Sequence, residues 1–192
     1  MKKSAKFVTQ DGRPLIIRPF AESDLESLLK FANSLVREKK TNLDLGVTAF
    51  DKRLSRDFER KFLDSTLKGM KNKRVVSVAA FSGKELVGEC LIRGREPSDL
   101  AHTGLLGIVV LDRYRGAGVG EKLARDALQA ARRVGIWLVE LEVLAVNLRA
   151  IRLYEKLGFR RAGIVPDKVC RRGRYVDMIV MYADLRQTIN PP

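Results

Sequence analysis

The spacing of apolar residues changes character near residue 74 of this chain. Before that point apolar side chains recur every three or four residues, which predicts one helix beginning near Leu25 and a second ending near Gly69. A short strand at 15–17 precedes both helices, and Ser23 and Asp24 suit the start of the first. After that point, runs at 75–81 and 86–92 surround the tetrapeptide Ser-Gly-Lys-Glu, which predicts a β-hairpin.

The second half alternates between strand and helix patterns. Residues 104–111 are apolar throughout and predict a buried central strand, while the segment after Gly118 has one apolar helical face and stops at Gly135. A strand at 136–144, a short helix ending before Gly158, and two strands near 159–165 and 175–182 follow. We therefore predict an α/β fold: a single domain over 1–192, core about 14–185, with a twisted mixed sheet of about six to seven strands flanked by about four helices.

A glycine-rich loop joins the predicted central strand to the amphipathic helix. Glycines let the backbone approach a bulky anion, and a helix N-terminus adds unpaired N–H groups and partial positive charge, so the loop predicts a pyrophosphate site. A P-loop string is absent, and a Rossmann fingerprint fails because Glu121 stands where its third glycine belongs. The predicted cradle comprises Arg115, Gly116, Ala117, Gly118, Val119 and Gly120.

A second motif follows about thirty residues later. It reads Asn147, Ala150, Tyr154 and Gly158-Phe159, in the pattern N-x-x-A-x-x-x-Y-x-x-x-G-F. Together with the glycine loop it resembles the GCN5-related N-acetyltransferase (GNAT) superfamily. The resemblance is strong over 104–159, extends over about 75–183, and includes features of RimI-like and amino-acid N-acetyltransferases.

That resemblance implies the reaction and several residue roles. Acetyl-CoA would be the donor, and a primary amine would attack its thioester directly. The backbone of Val110 would hold the thioester carbonyl, Asn147 would contact the pantetheine arm, and Tyr154 would be the general acid. Direct attack also agrees with the lack of a Ser/His/Asp or Cys/His signature in a chain with one histidine, His102.

The reaction also needs a general base that takes a proton from the amine, and the candidates are carboxylates on the predicted strands. Alternation along 136–144 places Glu140 and Glu142 on one face, and Glu142 lies nearer the strand end where ligands gather in open α/β sheets. Glu142 and Tyr154 also have the spacing of the glutamate and tyrosine in RimI-like enzymes. Glu142 is therefore the expected base, with Glu89 or a water chain as alternatives.

Composition limits the remaining function classes. The 192 residues are 45% hydrophobic and 31% charged, and the formal net charge is +14. No apolar run approaches the length of a membrane span, no secretory signal is visible, and the two cysteines form no metal-ligand spacing. We expect a cytoplasmic protein without a bound metal.

The acceptor and partners are less constrained by the sequence. Arginines in the final hairpin would repel a polyamine, which favours an amino acid, a similar small molecule or a peptide N-terminus. The alternatives are a non-catalytic acetyl-CoA-binding protein and a basic protein associated with nucleic acid or the ribosome. No nucleic-acid motif is visible, so nucleic acid is not favoured. Homodimers are frequent in the superfamily, but nothing in the sequence fixes an interface.

Overall fold

The computed structural model describes residues 4–42, 45–46 and 51–186. Within these ranges eight strands form one sheet in the order β1-β2-β3-β4-β5-β6-β8-β7. The strands are β1 (Ala5–Val8), β2 (Pro14–Arg18), β3 (Val75–Ser82), β4 (Glu85–Gly94), β5 (Thr103–Val110), β6 (Leu138–Leu144), β7 (Arg160–Arg171) and β8 (Arg174–Asp184). The α-helices are α1 (Leu25–Lys39), α2 (Arg56–Lys71), α3 (Val119–Arg133) and α4 (Leu148–Lys156). The predicted mixed α/β fold is confirmed, since among the strands of the described residues only β5 and β6 pair in parallel.

Strand β1 brings the sheet to eight strands within the described residues, close to the predicted six to seven. Its four residues pair antiparallel with β2 across a turn that contains Gly12, at a positive φ of 85°. Four residues are too few for alternation to stand out from a loop, so only the pairing with β2 identifies the strand.

Helices cover both faces of the sheet. The space beside Gly88 of β4 is filled by Leu123 of α3, so Gly88 and every second residue after it face α3. The residues between them face α2, because Arg93 of β4 reaches Thr66 at 3.1 Å and lies over the ring of Phe62. Helix α3 therefore packs on one face, and α1 and α2 on the other, which we call the α3 face and the α1/α2 face.

Helix α1 begins at Leu25, directly after Ser23 and Asp24, as the sequence predicts. Asp24 does not cap the helix with its side chain. Its carboxylate instead accepts two hydrogen bonds of 2.7 Å from Arg18 and one of 2.8 Å from the backbone N–H of Ala21. This buried carboxylate therefore ties β2 to the beginning of α1, because a buried charge needs such partners.

Two glycines of β5 provide a matched test of the packing. A Cβ at Gly104 would lie 2.8 Å from a methyl carbon of Ile92 and 2.9 Å from one of Ile136, whereas Gly107 has nothing within 4 Å. We expect Gly104→Ala to lower the free energy of unfolding by about 1–3 kcal/mol through overpacking. Gly107→Ala should change it little, and urea denaturation of both variants measures the difference. Equal effects of the two changes would contradict the packing described.

Candidate active site

The parallel pair β5–β6 comes apart after a short stretch. Pairing runs from Thr103 opposite Leu138 to Leu105 opposite Glu140, and the described residues contain no further pair between these strands. Both strands nevertheless continue, β5 to Val110 and β6 to Leu144. A gap therefore opens between their C-terminal halves in the middle of the sheet.

The β5 side of this gap presents backbone polar groups. Leu111 donates its N–H to the carbonyl of Val87 on β4 at 2.9 Å. Because hydrogen-bonded and non-hydrogen-bonded pairs alternate in an antiparallel ladder, Ile108 and Val110 direct their N–H and C=O groups away from β4. Those groups point toward the gap, and the Val110 carbonyl there accepts a 2.8 Å hydrogen bond from Nε of Arg115.

The β6 side of the gap has the same property. Ala145 donates its N–H to the carbonyl of Asp177 at 2.9 Å. These two residues directly follow the pairing of β6 with β8. By the same alternation, Glu142 and Leu144 direct their backbone groups toward β5. The gap is thus bordered on both sides by peptide groups that lack a neighbouring strand.

The glycine loop lies at the open end of the gap. Gly116 and Gly118 both have positive φ, 81° and 83°, and Gly118 is the N-cap of α3 without a side-chain cap. The first intrahelical bond runs from Lys122 N–H to Gly118 O, so the N–H groups ahead of Lys122 are oriented out of the helix end. Ala117 is held by the N-terminal hairpin, since its carbonyl accepts the N–H of Gln10 at 3.0 Å.

Arg115 is placed at this loop but its charge is already compensated. Its guanidinium forms a two-point ion pair with Glu38 of α1, including a bond of 2.8 Å from Nη2. It also bonds Asp112 at 3.1 Å. Arg115 therefore connects the loop to the C-terminal end of α1.

Helix α4 brings Asn147 and Tyr154 to the α3 face of the gap. The side-chain oxygen of Asn147 accepts the N–H of Ala150 at 3.1 Å and caps the helix. The Tyr154 ring is buried, and its pKa is raised by that burial and, to a lesser extent, by the neighbouring thiol of Cys90. Since Cys90 of β4 pairs with Ile108, Tyr154 lies beside the β5 edge of the gap with its phenol protonated at neutral pH.

Glu142 borders the gap from the opposite face. Glu140 shares a face with Leu105, its parallel partner, and bonds Arg95 of the α1/α2 face. Glu142, two residues further along β6, points the same way. Its carboxylate is half exposed and accepts a 2.7 Å bond from Lys168 of β7. Glu142 and Tyr154 thus stand on opposite faces of the sheet at the same gap.

Sequence comparison assigns the chain to a known protein family. The model of the acetyltransferase (GNAT) family matches residues 42–159. The chain belongs to the GNAT family.

Two curated relatives and one solved structure illustrate what this GNAT chain is similar to. It is 35% identical to the N-acetyltransferase aca1 of Schizosaccharomyces pombe over 98 residues, 50% of this chain and 47% of that protein. It is 32% identical to the L-amino acid N-acetyltransferase AaaT of Escherichia coli over 108 residues, 54% and 64% of the two chains. The chain therefore spans about half to two thirds of these curated relatives. A phosphinothricin acetyltransferase structure from Sinorhizobium meliloti in complex with acetyl-CoA has the same fold, with a TM-score of 0.73, 18% identity and coverage of 88% and 87%.

Two glutamates lie close together where α2 packs on β4. Burial raises the pKa of Glu89 on β4 to about 7, with a further contribution from the neighbouring carboxylate of Glu59. Burial also raises the pKa of Glu59, on α2, to about 7. One Glu89 oxygen, Oε2, is buried without a hydrogen-bond partner among the described residues. Such a carboxyl favours its protonated form inside the protein.

A basic groove lies between the end of α1 and the tip of the β7–β8 hairpin. Its volume is about 500 Å³, and one of its lysines, Lys39, pairs with Asp51 at 2.7 Å. The groove therefore carries a net positive charge beside the α1/α2 face. Its lining residues are Val36, Lys39, Lys40, Asp51, Val169, Cys170, Arg171 and Arg172.

Sequence reasoning missed the contacts that join distant segments. The Arg115–Glu38 pair joins residues 77 apart, and the Glu142–Lys168 pair joins residues 26 apart. No local pattern marks Glu38 or Lys168, since both sit among other charged residues. Within the described ranges, no group of His, Cys, Asp and Glu is arranged to hold a metal, and no helix is long and apolar enough to cross a membrane.

The buried Glu89 predicts a particular pH dependence of stability. Its pKa is raised from 4.5 to about 7. Between these values the folded protein holds a proton that the unfolded chain has released, so the free energy of unfolding falls as pH rises through this window. Glu89→Gln removes the part of that dependence that comes from Glu89, while the part from Glu59 remains. We expect the variant to gain about 1–3 kcal/mol over the wild type near pH 8 and little near pH 5.

Denaturant titrations at the two pH values measure this effect. Glu85→Gln, at the exposed start of the same strand, is the control and should show no such difference between the two pH values. A pH-independent effect of Glu89→Gln would contradict the raised pKa.

Proposed function

We propose that the protein is an N-acetyltransferase that transfers the acetyl group of acetyl-CoA directly to a primary amine. The acceptor is an amino acid, or a peptide N-terminus with neutral or acidic neighbours. The observation that carries this proposal is the gap between β5 and β6, with Tyr154 on one face and Glu142 on the other. Acetyl-CoA supplies an activated acetyl group as a thioester.

The described residues suit the two parts of that molecule. Two consecutive N–H groups at the start of α3, together with the positive-φ glycines before it, suit a pyrophosphate. The pantetheine arm carries amides, and the gap offers peptide groups that have no neighbouring strand, among them the N–H of Val110, with which amides can bond. Val110 turns its N–H into the gap, where it would donate to the thioester carbonyl as negative charge develops there. Asn147 would bond the arm near the start of α4.

Separation of the acid and base by the sheet supports direct transfer. An amine arriving from the α1/α2 face meets Glu142, which would take its proton. The thiol leaves toward the α3 face, where the Tyr154 hydroxyl would protonate it. The Tyr154 phenol is protonated at neutral pH, as a general acid must be, since its ordinary pKa of about 10 is raised further by burial.

The basic groove supports the choice of acceptor. It opens on the α1/α2 face, beside the hairpin that carries Lys168, and it would attract a carboxylate while repelling a second ammonium. An amino acid has one amine and one carboxylate, which suits a site with Glu142 at one end and basic side chains at the other. The likeness to an L-amino acid N-acetyltransferase agrees with this choice.

Binding of acetyl-CoA tests the proposed cradle. Gly118→Ala places a side chain at a φ of 83°, which costs about 1–2 kcal/mol and distorts the end of α3. We expect an affinity about tenfold weaker or worse in calorimetry at two salt concentrations. Gly135→Ala has the same backbone strain at the far end of α3 and should bind as the wild type does. Absence of binding by the wild-type protein at both salt concentrations would refute the proposed function.

Steady-state rates test the acid and the base. Glu142→Gln and Tyr154→Phe should each lower kcat by about 10²–10⁴-fold with little change in acetyl-CoA affinity, measured with amino acids and peptide N-termini as acceptors. Glu140→Gln, on the same face of β6, is the control and should retain activity. A rate that survives Glu142→Gln and is lost in Glu89→Gln would assign the base to Glu89 instead.

A further inference from the structure

The side-chain ammonium of Lys168 lies at Glu142, where the proposed reaction requires the amine of the acceptor. Its Nζ lies 2.7 Å from Oε1 of Glu142, within hydrogen-bond reach of the proposed base. Glu142 in turn borders the gap, two residues beyond the last pair between β5 and β6. The chain therefore presents one of its own primary amines where the proposed reaction requires one.

An irregularity in β7 places the lysine there. The register of β7 against β8 shifts between Val165 and Val169, and Asp167 has a positive φ of 52°. The N–H of Asp167 donates to the carboxylate of Asp177 at 3.0 Å, which fixes this bulge. Bulges re-aim side chains, and this one directs Lys168 along the sheet to β6.

We propose that Lys168 is a self-acetylation site, an inference that rests on the proposed function. The Lys168 ammonium gives one proton to Glu142, and its nitrogen lone pair forms a bond to the acetyl carbon as the carbon–sulfur bond breaks. The products are Nε-acetyl-lysine, CoA thiol and one released proton. Acetyl-lysine is neutral, so the reaction also ends the ion pair with Glu142.

Two ion-paired lysines on the helices, and Lys39 with its partner Asp51 at the basic groove, do not share this placement. Lys156 bonds Glu121 of α3 at 2.7 Å, and Lys122 bonds Asp126 one helical turn away at 2.8 Å. Those carboxylates lie on helix surfaces and not at the β6 edge of the gap. Selective modification of Lys168 would therefore reflect the geometry at Glu142 and not general lysine reactivity.

Mass spectrometry of the intact full-length protein with acetyl-CoA and no other amine tests the proposal. We expect the mass of one acetyl group to be added, with peptide mapping placing it on Lys168. The rate per molecule should not depend on protein concentration, because the reaction is intramolecular. Lys168→Arg should abolish the addition, and Lys156→Arg should leave it unchanged.

The variant Glu142→Gln separates enzymatic from spontaneous acetylation. We expect it to acetylate Lys168 at least about tenfold more slowly than the wild type, with folding checked by thermal melting. Equal rates in the two proteins would overturn the proposal. So would an unmodified Lys168 in a protein that acetylates an added amino acid, and that result leaves the proposed function standing. If calorimetry detects no acetyl-CoA binding, both fall together.

Discussion

The site depends on an interruption of the β-sheet ladder. A sheet normally satisfies every backbone N–H and C=O of its inner strands, and a buried group without a partner is costly. Here β5 and β6 part after Leu105 and Glu140, and the peptide groups of Ile108, Val110, Glu142 and Leu144 turn toward the gap. A ligand arm rich in amides can supply the missing bonds. The sheet is therefore incomplete where, under the proposed function, the pantetheine arm of acetyl-CoA would bind.

The two strands beside the gap are each held in place by their other neighbour in the sheet. On the β6 side the strand is fixed by its long pairing with β8, and on the β5 side by its long pairing with β4. Neither strand needs the other for most of its length. The two faces can then differ in chemistry, with a buried phenol on the α3 face and a half-exposed carboxylate on the α1/α2 face.

Sequence patterns could predict the elements and motifs at the site, because these depend on local spacing. The six buried residues along one face of α3 repeat at helical intervals, and the asparagine and tyrosine of α4 are seven residues apart. The gap could not be predicted, since it depends on where two strands stop pairing. Strand β1 was missed because four residues carry little periodicity. The raised pKa of Glu89 was also hidden, because it comes from α2 packing over β4.

The ion pair between Arg115 and Glu38 connects the glycine loop to the end of α1 that lines the basic groove. Arg115 belongs to the glycine loop, and Glu38 immediately precedes Lys39 and Lys40, which line the basic groove. If a phosphate bound at the loop drew Arg115 away from Glu38, the carboxylate left beside the groove would make the groove less positive. Binding at the groove would then be coupled to binding at the loop, and thermodynamic linkage would make the effect reciprocal.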